Sequence, residues 1–236
     1  MDLSTARVLV TGGGSGIGRA TAQLLAARGA RVAICGRRAD VLREAADAVG
    51  ATPIPADVSD ESSVRDLVAG VVRALGGYDV LINNAGFGAF ASLVDTTVGE
   101  FRRVWETNVL GAMLVARESA RHFVGQGRGN IVNVASTAGS RGFAGGTAYC
   151  SSKFALSGMT ECWRAELRPH NVRVMQVNPS EVLTDFFEVA GAPARADNPT
   201  KLRAEDIAFT IASMLELPDR GFVTEATVWA TNPKDR

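Results

Sequence analysis

Apolar residues along this chain fall into two alternating rhythms. Short, unbroken runs rich in valine and isoleucine occupy 7–12 (RVLVTG), 31–36 (RVAICG), 52–56, 78–86, 129–136, 171–179 and 221–230. Between them lie longer stretches at 18–30, 39–50, 60–75, 97–123, 147–167 and 204–217, where apolar side chains recur at helical spacing. The first set reads as strands buried on both faces and the second as helices covering them. Gly29 and Gly50 stand where two helices should stop, and Pro179 ends the sixth strand. Strand and helix alternate strictly, which predicts an α/β fold: a doubly wound parallel sheet of about seven strands with helices on both faces. No linker, repeat or low-complexity segment interrupts the pattern, so residues 1–236 are expected to form a single domain. The least regular stretch, at about 185–203 (DFFEVAGAPARADNPTKLR), exceeds a usual helix–strand connection and is expected to be a lid.

Charge and composition remove several function classes. The 236 residues carry 25 Lys and Arg against 25 Asp and Glu, with no basic stripe interleaved with aromatics, so nucleic acid is not an expected partner. No apolar run approaches the ~20 residues of a membrane span, and the opening MDLSTARVLVTGGG is too short and too broken by glycine for a signal-peptide core. Cys35, Cys150 and Cys162 have no metal-ligand spacing and cannot all pair. The expectation is a cytoplasmic protein, in a reducing compartment, without a membrane partner. His122 and His170 are isolated near helix ends and read as surface or capping residues, so no metal is expected.

TGGGSGIG at 11–18 follows the first strand and opens the first helix. Glycines at such a turn let backbone approach a pyrophosphate, whose charge the helix N-terminus attracts. Alone, the loop could be a plain tight turn; strand before and helix after favour a dinucleotide site. The second strand ends in Gly36, Arg37 and Arg38, where a fold preferring NAD carries an acid for the ribose 2′-hydroxyl. An acid there repels a 2′-phosphate, whereas paired guanidiniums bind one. NADP(H) is therefore expected over NAD(H), the bland alternative being that the arginines only solvate a strand end.

Only three of the basic residues are lysines: Lys153, Lys201 and Lys234. Lys153 sits one helical turn after Tyr149, so the two share a helix face. A free phenol titrates near ~10, too high for acid–base work at neutral pH, and a nearby cation favours the phenolate. A slender ammonium can do this and also reach a ribose hydroxyl; a planar guanidinium would not do both in one geometry. Tyr-x-x-x-Lys is by itself commonly a surface contact. This one opens the helix after the fifth strand, whose end, NVASTAG, carries Ser136. Ligands of doubly wound sheets sit beyond the carboxyl ends of the strands, where the Ser136 hydroxyl could bond a substrate carbonyl.

With these residues in hand, the chain resembles the short-chain dehydrogenase/reductase family, whose domain is a Rossmann fold. The resemblance is carried by TGGGSGIG at 11–18, DV at 57–58, NNAG at 83–86, Asn108, Ser136, YCSSK at 149–153 and NPSEVLT at 178–184, in order and across nearly the whole chain. The chain is similar overall to the 3-oxoacyl-acyl-carrier-protein reductase and sepiapterin-reductase-like members. The resemblance implies Tyr149 as the general acid that protonates a carbonyl oxygen and Ser136 as the group that holds that oxygen. It implies that Lys153 lowers the Tyr149 pKa and bonds the nicotinamide ribose, and that Asn108, in a kinked helix, holds a water in a proton relay to Lys153. For the cofactor it implies Thr11, Gly12, Gly14, Ser15, Gly16, Ile17 and Gly18 in the loop, beside Arg37 and Arg38. Asp57 with Val58 would meet the adenine, and Asn84, Ala85 and Gly86 would line the path. Pro179, Val182 and Thr184 would stand at the carboxamide.

Two positions depart from the family pattern. Ser180 replaces the usual glycine after the proline, which leaves the substrate preference open. Ser15 stands where many NADP-preferring relatives carry a basic residue, which leaves the phosphate to Arg37 and Arg38. The implied activity is reduction of a carbonyl by NADPH. The same residues would serve an NADP-dependent secondary alcohol dehydrogenase, and the fold also supports a non-catalytic cofactor-binding regulatory protein, which would be expected to lack Ser136, Tyr149 or Lys153. A homodimer or homotetramer is implied, with Trp105 and Trp163 in an interface or in the core. Cys150 is read as packing. Phe186 and Phe187 are read as pocket walls or anchors of a mostly apolar lid, which favours a neutral or acyl-like substrate.

Overall fold

The structure is a computed structural model and describes residues 1–191, 198 and 200–231. In chain order it runs β1 (Arg7–Thr11), α1 (Gly16–Ala27), β2 (Arg31–Gly36), α2 (Ala39–Val49), β3 (Thr52–Pro55), α3 (Glu61–Leu75) and β4 (Val80–Asn83). Then follow α4 (Val98–Trp105), α5 (Ala112–Gln126), β5 (Gly129–Val134), α6 (Thr147–Leu167), β6 (Val172–Pro179), β7 (Val182–Leu183), α7 (Phe186–Val189), β8 (Leu202–Arg203), α8 (Ala204–Glu216) and β9 (Glu225–Val228). The main sheet has seven strands in the order β3-β2-β1-β4-β5-β6-β9, all parallel. β7 and β8 form a second, two-stranded parallel pair.

Alternation along each strand divides the core in two. Val8 and Val10 of β1 join Ile34, Ile82 and Met175 under α1, α2 and α8. Leu9 points the other way and joins Ala33, Leu81, Ile131 and Val174 under α3 and α5. Because both faces are covered, the central strands are apolar at nearly every position, and that is why they read as continuous runs in the sequence. β1 pairs with β2 on one side and with β4 on the other, so the strand order reverses there and opens a crevice beyond the carboxyl ends of β1 and β4.

Three expectations are corrected. The single helix at 97–123 is interrupted: α4 and α5 are joined by a wide π-helical turn, Glu106–Gly111. Here the helix meets Val58, and a Cβ at Gly111 would lie 2.8 Å from Val58 Cγ2 and 3.2 Å from its carbonyl oxygen. The strand at 221–230 contracts to β9, and the strand at 78–86 ends at Asn83, where the chain turns into the crevice. The lid at 185–203 lies partly outside the described residues; its described part holds α7 and the approach to β8. Among the described residues no helix is long and apolar enough to cross a membrane.

Candidate active site

A cleft of about 1110 Å³ lies beyond the carboxyl ends of the central strands. Behind its lining stands Thr11, which ends β1 fully buried. The Thr11 hydroxyl accepts the backbone N–H groups of Asn84 and Ala85, each at 2.9 Å, and the Asn84 amide donates back to the Thr11 carbonyl at 3.0 Å. The glycine loop and the Asn84–Gly86 turn are thereby locked together. At Gly12 (φ 65°) a Cβ would sit 3.0 Å from both Ala85 Cα and Asn84 Nδ2; at Gly18 it would sit 2.3 Å from the Gly12 carbonyl oxygen. Any side chain at either position would force the loop apart.

The donor set fits a dinucleotide. Gly12, Gly14, Ser15, Gly16 and Ile17 line the cleft, and Ser15 begins α1 without a side-chain cap, so the first N–H groups of that helix are left for an anion. Arg37 and Arg38 stand exposed on the lining beyond the end of β2. Asp57 and Val58 line the cleft beside them. The Asp57 carboxylate accepts the Ser59 hydroxyl at 2.6 Å and the Ser59 N–H at 2.9 Å. The Ser59 hydroxyl above all, with the Arg37 charge as a smaller contribution, holds its pKa below the usual carboxylate value. Asn84, Ala85 and Gly86 line the middle, and Pro179, Val182 and Thr184 line the far wall. Thr184 comes close enough to the loop that a Cβ on Gly16 would touch its Cγ2 at 3.5 Å.

Ser180 also lines the cleft. Its N–H donates to the Val228 carbonyl at 2.9 Å, and its hydroxyl accepts the Ala230 N–H at 3.4 Å. Among the described residues only Asn171 combines a side chain with positive φ, so Ser180 needs no glycine-like backbone. The serine ties the end of β6 to the chain leaving β9.

Ser136, Tyr149 and Lys153 meet on the lining at the end of β5 and the start of α6. The Ser136 hydroxyl accepts the Ala138 N–H at 3.1 Å, which fixes its direction. The half-buried Tyr149 has its pKa pushed up to about 12 by loss of water around the phenol, against a hydrogen bond to Ser136 that pulls it down. Lys153 lies 5.8 Å from the Tyr149 ring centroid, and its ammonium donates to the Val134 carbonyl at 2.9 Å. Burial lowers its pKa to about 8. In the unliganded site burial outweighs the Ser136 hydrogen bond at Tyr149.

Three residues expected at the site lie behind the lining. Thr11 and Gly18 act through the contacts above. Asn108, in the π-helical turn and almost wholly buried, accepts the Phe87 N–H at 3.0 Å and donates to the Phe87 carbonyl at 2.9 Å and to Ser152 Oγ at 3.0 Å. Both of its amide hydrogens are spent, and among the described residues its side chain makes no bond to Lys153. It braces the chain leaving β4. Trp105 donates to Ser151 Oγ at 3.1 Å, Trp163 packs on the core under α6, and Cys150 is buried. His170 is exposed. His122, however, packs against Tyr78 and Phe123 with a buried Nε2 that has no partner among the described residues, so it belongs to the packing rather than to the surface.

Other lining residues were not singled out in the sequence. Phe90 stands beside Tyr149 and Phe143 beside Phe90; Phe186, which was read as a wall or an anchor, lines the cleft next to Tyr149, and the Phe187 side chain lies outside the described residues. Arg141 and Glu181 also line this end, and Glu181 accepts from Lys201 at 2.7 Å. The signal available for Phe90 was its nearness to NNAG; Phe143 had none beyond an aromatic in a glycine-rich loop.

A sequence profile described as short chain dehydrogenase matches residues 6–194. The chain is 32% identical over 239 residues to the NADP-dependent 3-hydroxy acid dehydrogenase of Schizosaccharomyces pombe, covering 95% of this chain and 92% of that one. It is 37% identical over 187 residues to the L-xylulose reductase of Homo sapiens, covering 78% and 75% of the two chains. The crystal structure of the 3-ketoacyl-(acyl-carrier-protein) reductase from Brucella melitensis, complexed with NADH, superposes with a TM-score of 0.87 at 28% identity, over 95% of this chain and 96% of that one.

Proposed function

The chain belongs to the short-chain dehydrogenase family of oxidoreductases, and on that premise we propose that it reduces a carbonyl compound to an alcohol with NADPH. The observation that carries the proposal is the meeting of Ser136, Tyr149 and Lys153 on the lining of one cleft, beside the glycine loop. Reduction needs a neutral acid at the carbonyl oxygen, which is what Tyr149 offers at pH 7. The same residues would serve alcohol oxidation; reduction is favoured because cells keep NADP mostly reduced. A purely regulatory protein has no use for the complete set.

NADPH, when bound, supplies the hydride. Ser136 holds the carbonyl oxygen, Tyr149 delivers its proton to that oxygen, and the Lys153 ammonium stabilises the phenolate left behind and reaches the ribose. The glycine loop and the start of α1 hold the pyrophosphate, Asp57 and Val58 the adenine, Asn84–Gly86 the path, and Pro179, Val182 and Thr184 the carboxamide. Asn108 serves this arrangement by bracing Phe87.

Preference for the phosphorylated cofactor rests on Arg37 and Arg38, exposed on the lining with no acid at the end of β2. Relatives point both ways: the fission-yeast enzyme is named for NADP, whereas the Brucella structure holds NADH. Consumption of NADPH and NADH should be measured in parallel against a panel of ketones. Turnover with NADPH that collapses in Arg37→Glu supports the assignment; turnover with NADH alone overturns it. Tyr149→Phe should bind the cofactor and turn over nothing.

A second copy of the chain is the proposed partner. An apolar groove of about 470 Å³ runs along α4, the π-helical turn and α6, lined by Phe101, Trp105, Val109, Leu110, Met113 and Met159, with Leu110 41% exposed. Light scattering should give a dimer or tetramer that Leu110→Asp dissociates. The three free cysteines favour a reducing compartment, the cytoplasm.

A further inference from the structure

Four aromatic rings gather where the cleft meets the reacting hydroxyl. Phe90 is the hub: its centroid lies 5.7 Å from Tyr149 at an interplanar angle of 66°, 6.0 Å from Phe143 and 6.4 Å from Phe186. Tyr149 and Phe186 are 5.4 Å apart. These rings come from separate stretches, the chain after β4, the loop before α6, α6 itself and α7, so no single helix periodicity explains them. Gly88 permits the cluster: a Cβ there would lie 2.7 Å from Phe90 Cζ and 3.1 Å from Phe186 Cζ, and would push the two rings apart.

Three charged residues stand on this part of the lining, two of them with partners. The Arg141 guanidinium lies 4.9 Å over the Trp229 ring, Glu181 is paired with Lys201, and the exposed Asp185 carries the sign that repels a carboxylate. Tilted and edge-to-face rings line this part of the cleft, and a flat ring laid on them would extend the same geometry, whereas an aliphatic chain gains only the area it buries. Ser136 and the Tyr149 hydroxyl line the same cleft as the rings, as in a pocket that is apolar apart from a few convergent donors.

We propose that the preferred substrates are uncharged aryl ketones, with the ring seated among Phe90, Phe143 and Phe186 and the carbonyl oxygen on Tyr149 and Ser136. The assignment rests on the reductase reading above. In the step, the carbonyl carbon gains a hydride from NADPH and its oxygen gains the Tyr149 proton; the ketone is reduced to a 1-arylalkanol and NADPH is oxidised to NADP⁺.

Acetophenone, 4-acetylbenzoate and 2,3-butanedione separate the possibilities. Acetophenone is expected to exceed butanedione in kcat/KM by about tenfold, although the diketone is the more electrophilic. The distal carboxylate of 4-acetylbenzoate is expected to lower kcat/KM by about tenfold relative to acetophenone. Phe90→Ala is expected to lower the acetophenone-to-butanedione ratio by about tenfold, and Phe90→Leu, which keeps an apolar group of useful size and controls for folding, by about threefold. Turnover of butanedione without preference for acetophenone overturns the ring subsite and leaves the reductase reading standing. If no ketone is turned over, the reductase reading falls, and the subsite is decided by saturation-transfer NMR with acetophenone in the presence of NADPH. A signal that weakens in Phe90→Leu and Phe143→Leu supports it; no signal overturns it.

Discussion

Lys153 shows what the proposed catalytic cation costs its fold. Burial drives its pKa from 10.5 to about 8, and the Val134 carbonyl is its hydrogen-bond partner. The unfolded chain binds that proton more tightly. Stability therefore rises with pH between about 8 and 10.5, and below that window the native state bears the full burial penalty. Lys153→Met should raise stability by about 2 kcal/mol at pH 7, once the lost Val134 bond is set against the relieved burial. Urea denaturation should show that gain shrinking toward pH 10.5, where the wild-type lysine is neutral in both states; a variant no more stable at pH 7 would contradict it. On the proposed function the same titration should set activity. kcat/KM for reduction, a property of the free enzyme, should fall as pH rises through about 8, while Tyr149, held near 12, keeps its proton. Lys153→Arg retains charge and should still lose most turnover, because the guanidinium cannot repeat the contact with Val134 and reach a ribose. Ser136, Tyr149 and Lys153 were legible in the sequence because chemistry fixes both their types and their spacing. Phe186 was read as a pocket wall or anchor and does line the cleft, whereas Phe90 and Phe143 were not legible, because only the tertiary fold brings their stretches together.

At the scale of elements, the strands and most helices were legible from apolar rhythm alone, and α6 runs over the span that rhythm marks, Thr147–Leu167. The break between α4 and α5 was not, since periodicity on either side of Glu106–Gly111 continues almost unchanged. Its cause lies in another part of the chain: Val58, after β3, presses against Gly111, and Asn108 turns inward to brace Phe87. Asn108→Ala should strand the Phe87 N–H and carbonyl and cost about 1–3 kcal/mol in urea denaturation. Its effect on turnover should exceed that of Gly111→Ala, which strains the same turn without removing the brace. Gly18→Val tests the other end of the cleft. With no space between α1 and the Gly12 carbonyl, the variant should lose most of its NADPH affinity by fluorescence titration while the sheet, read by circular dichroism, persists.

For the molecule as a whole, strand alternation foretold a parallel, doubly covered sheet but left the order of its strands open. Order depends on which crossover packs on which face, and on clamps that bring distant segments together. Arg173, near the start of β6 and 7% exposed, is one such clamp. It donates to Asn130 Oδ1 at 2.6 Å and to the carbonyls of Leu215, Leu217 and Gly221 at 3.1–3.3 Å, holding the end of α8 to the sheet. Arg173→Met should cost about 3 kcal/mol, yet leave kcat/KM close to wild type, because the clamp sits at the amino end of the sheet and the cleft at the opposite end. Beyond the active chemistry, the outermost strand β3 reads Thr-Pro-Ile-Pro. Ala56, next in line, donates inward to the Gly36 carbonyl, so by alternation the nitrogens of Pro53 and Pro55 face outward. They carry no hydrogen. A stray strand arriving at that rim finds carbonyls but neither of the donors it would need, so the sheet cannot be extended there into a neighbouring molecule. Of the two edges of the main sheet, strand-to-strand association in a crowded cell is left to β9, and the two prolines act as a guard against aggregation at the other.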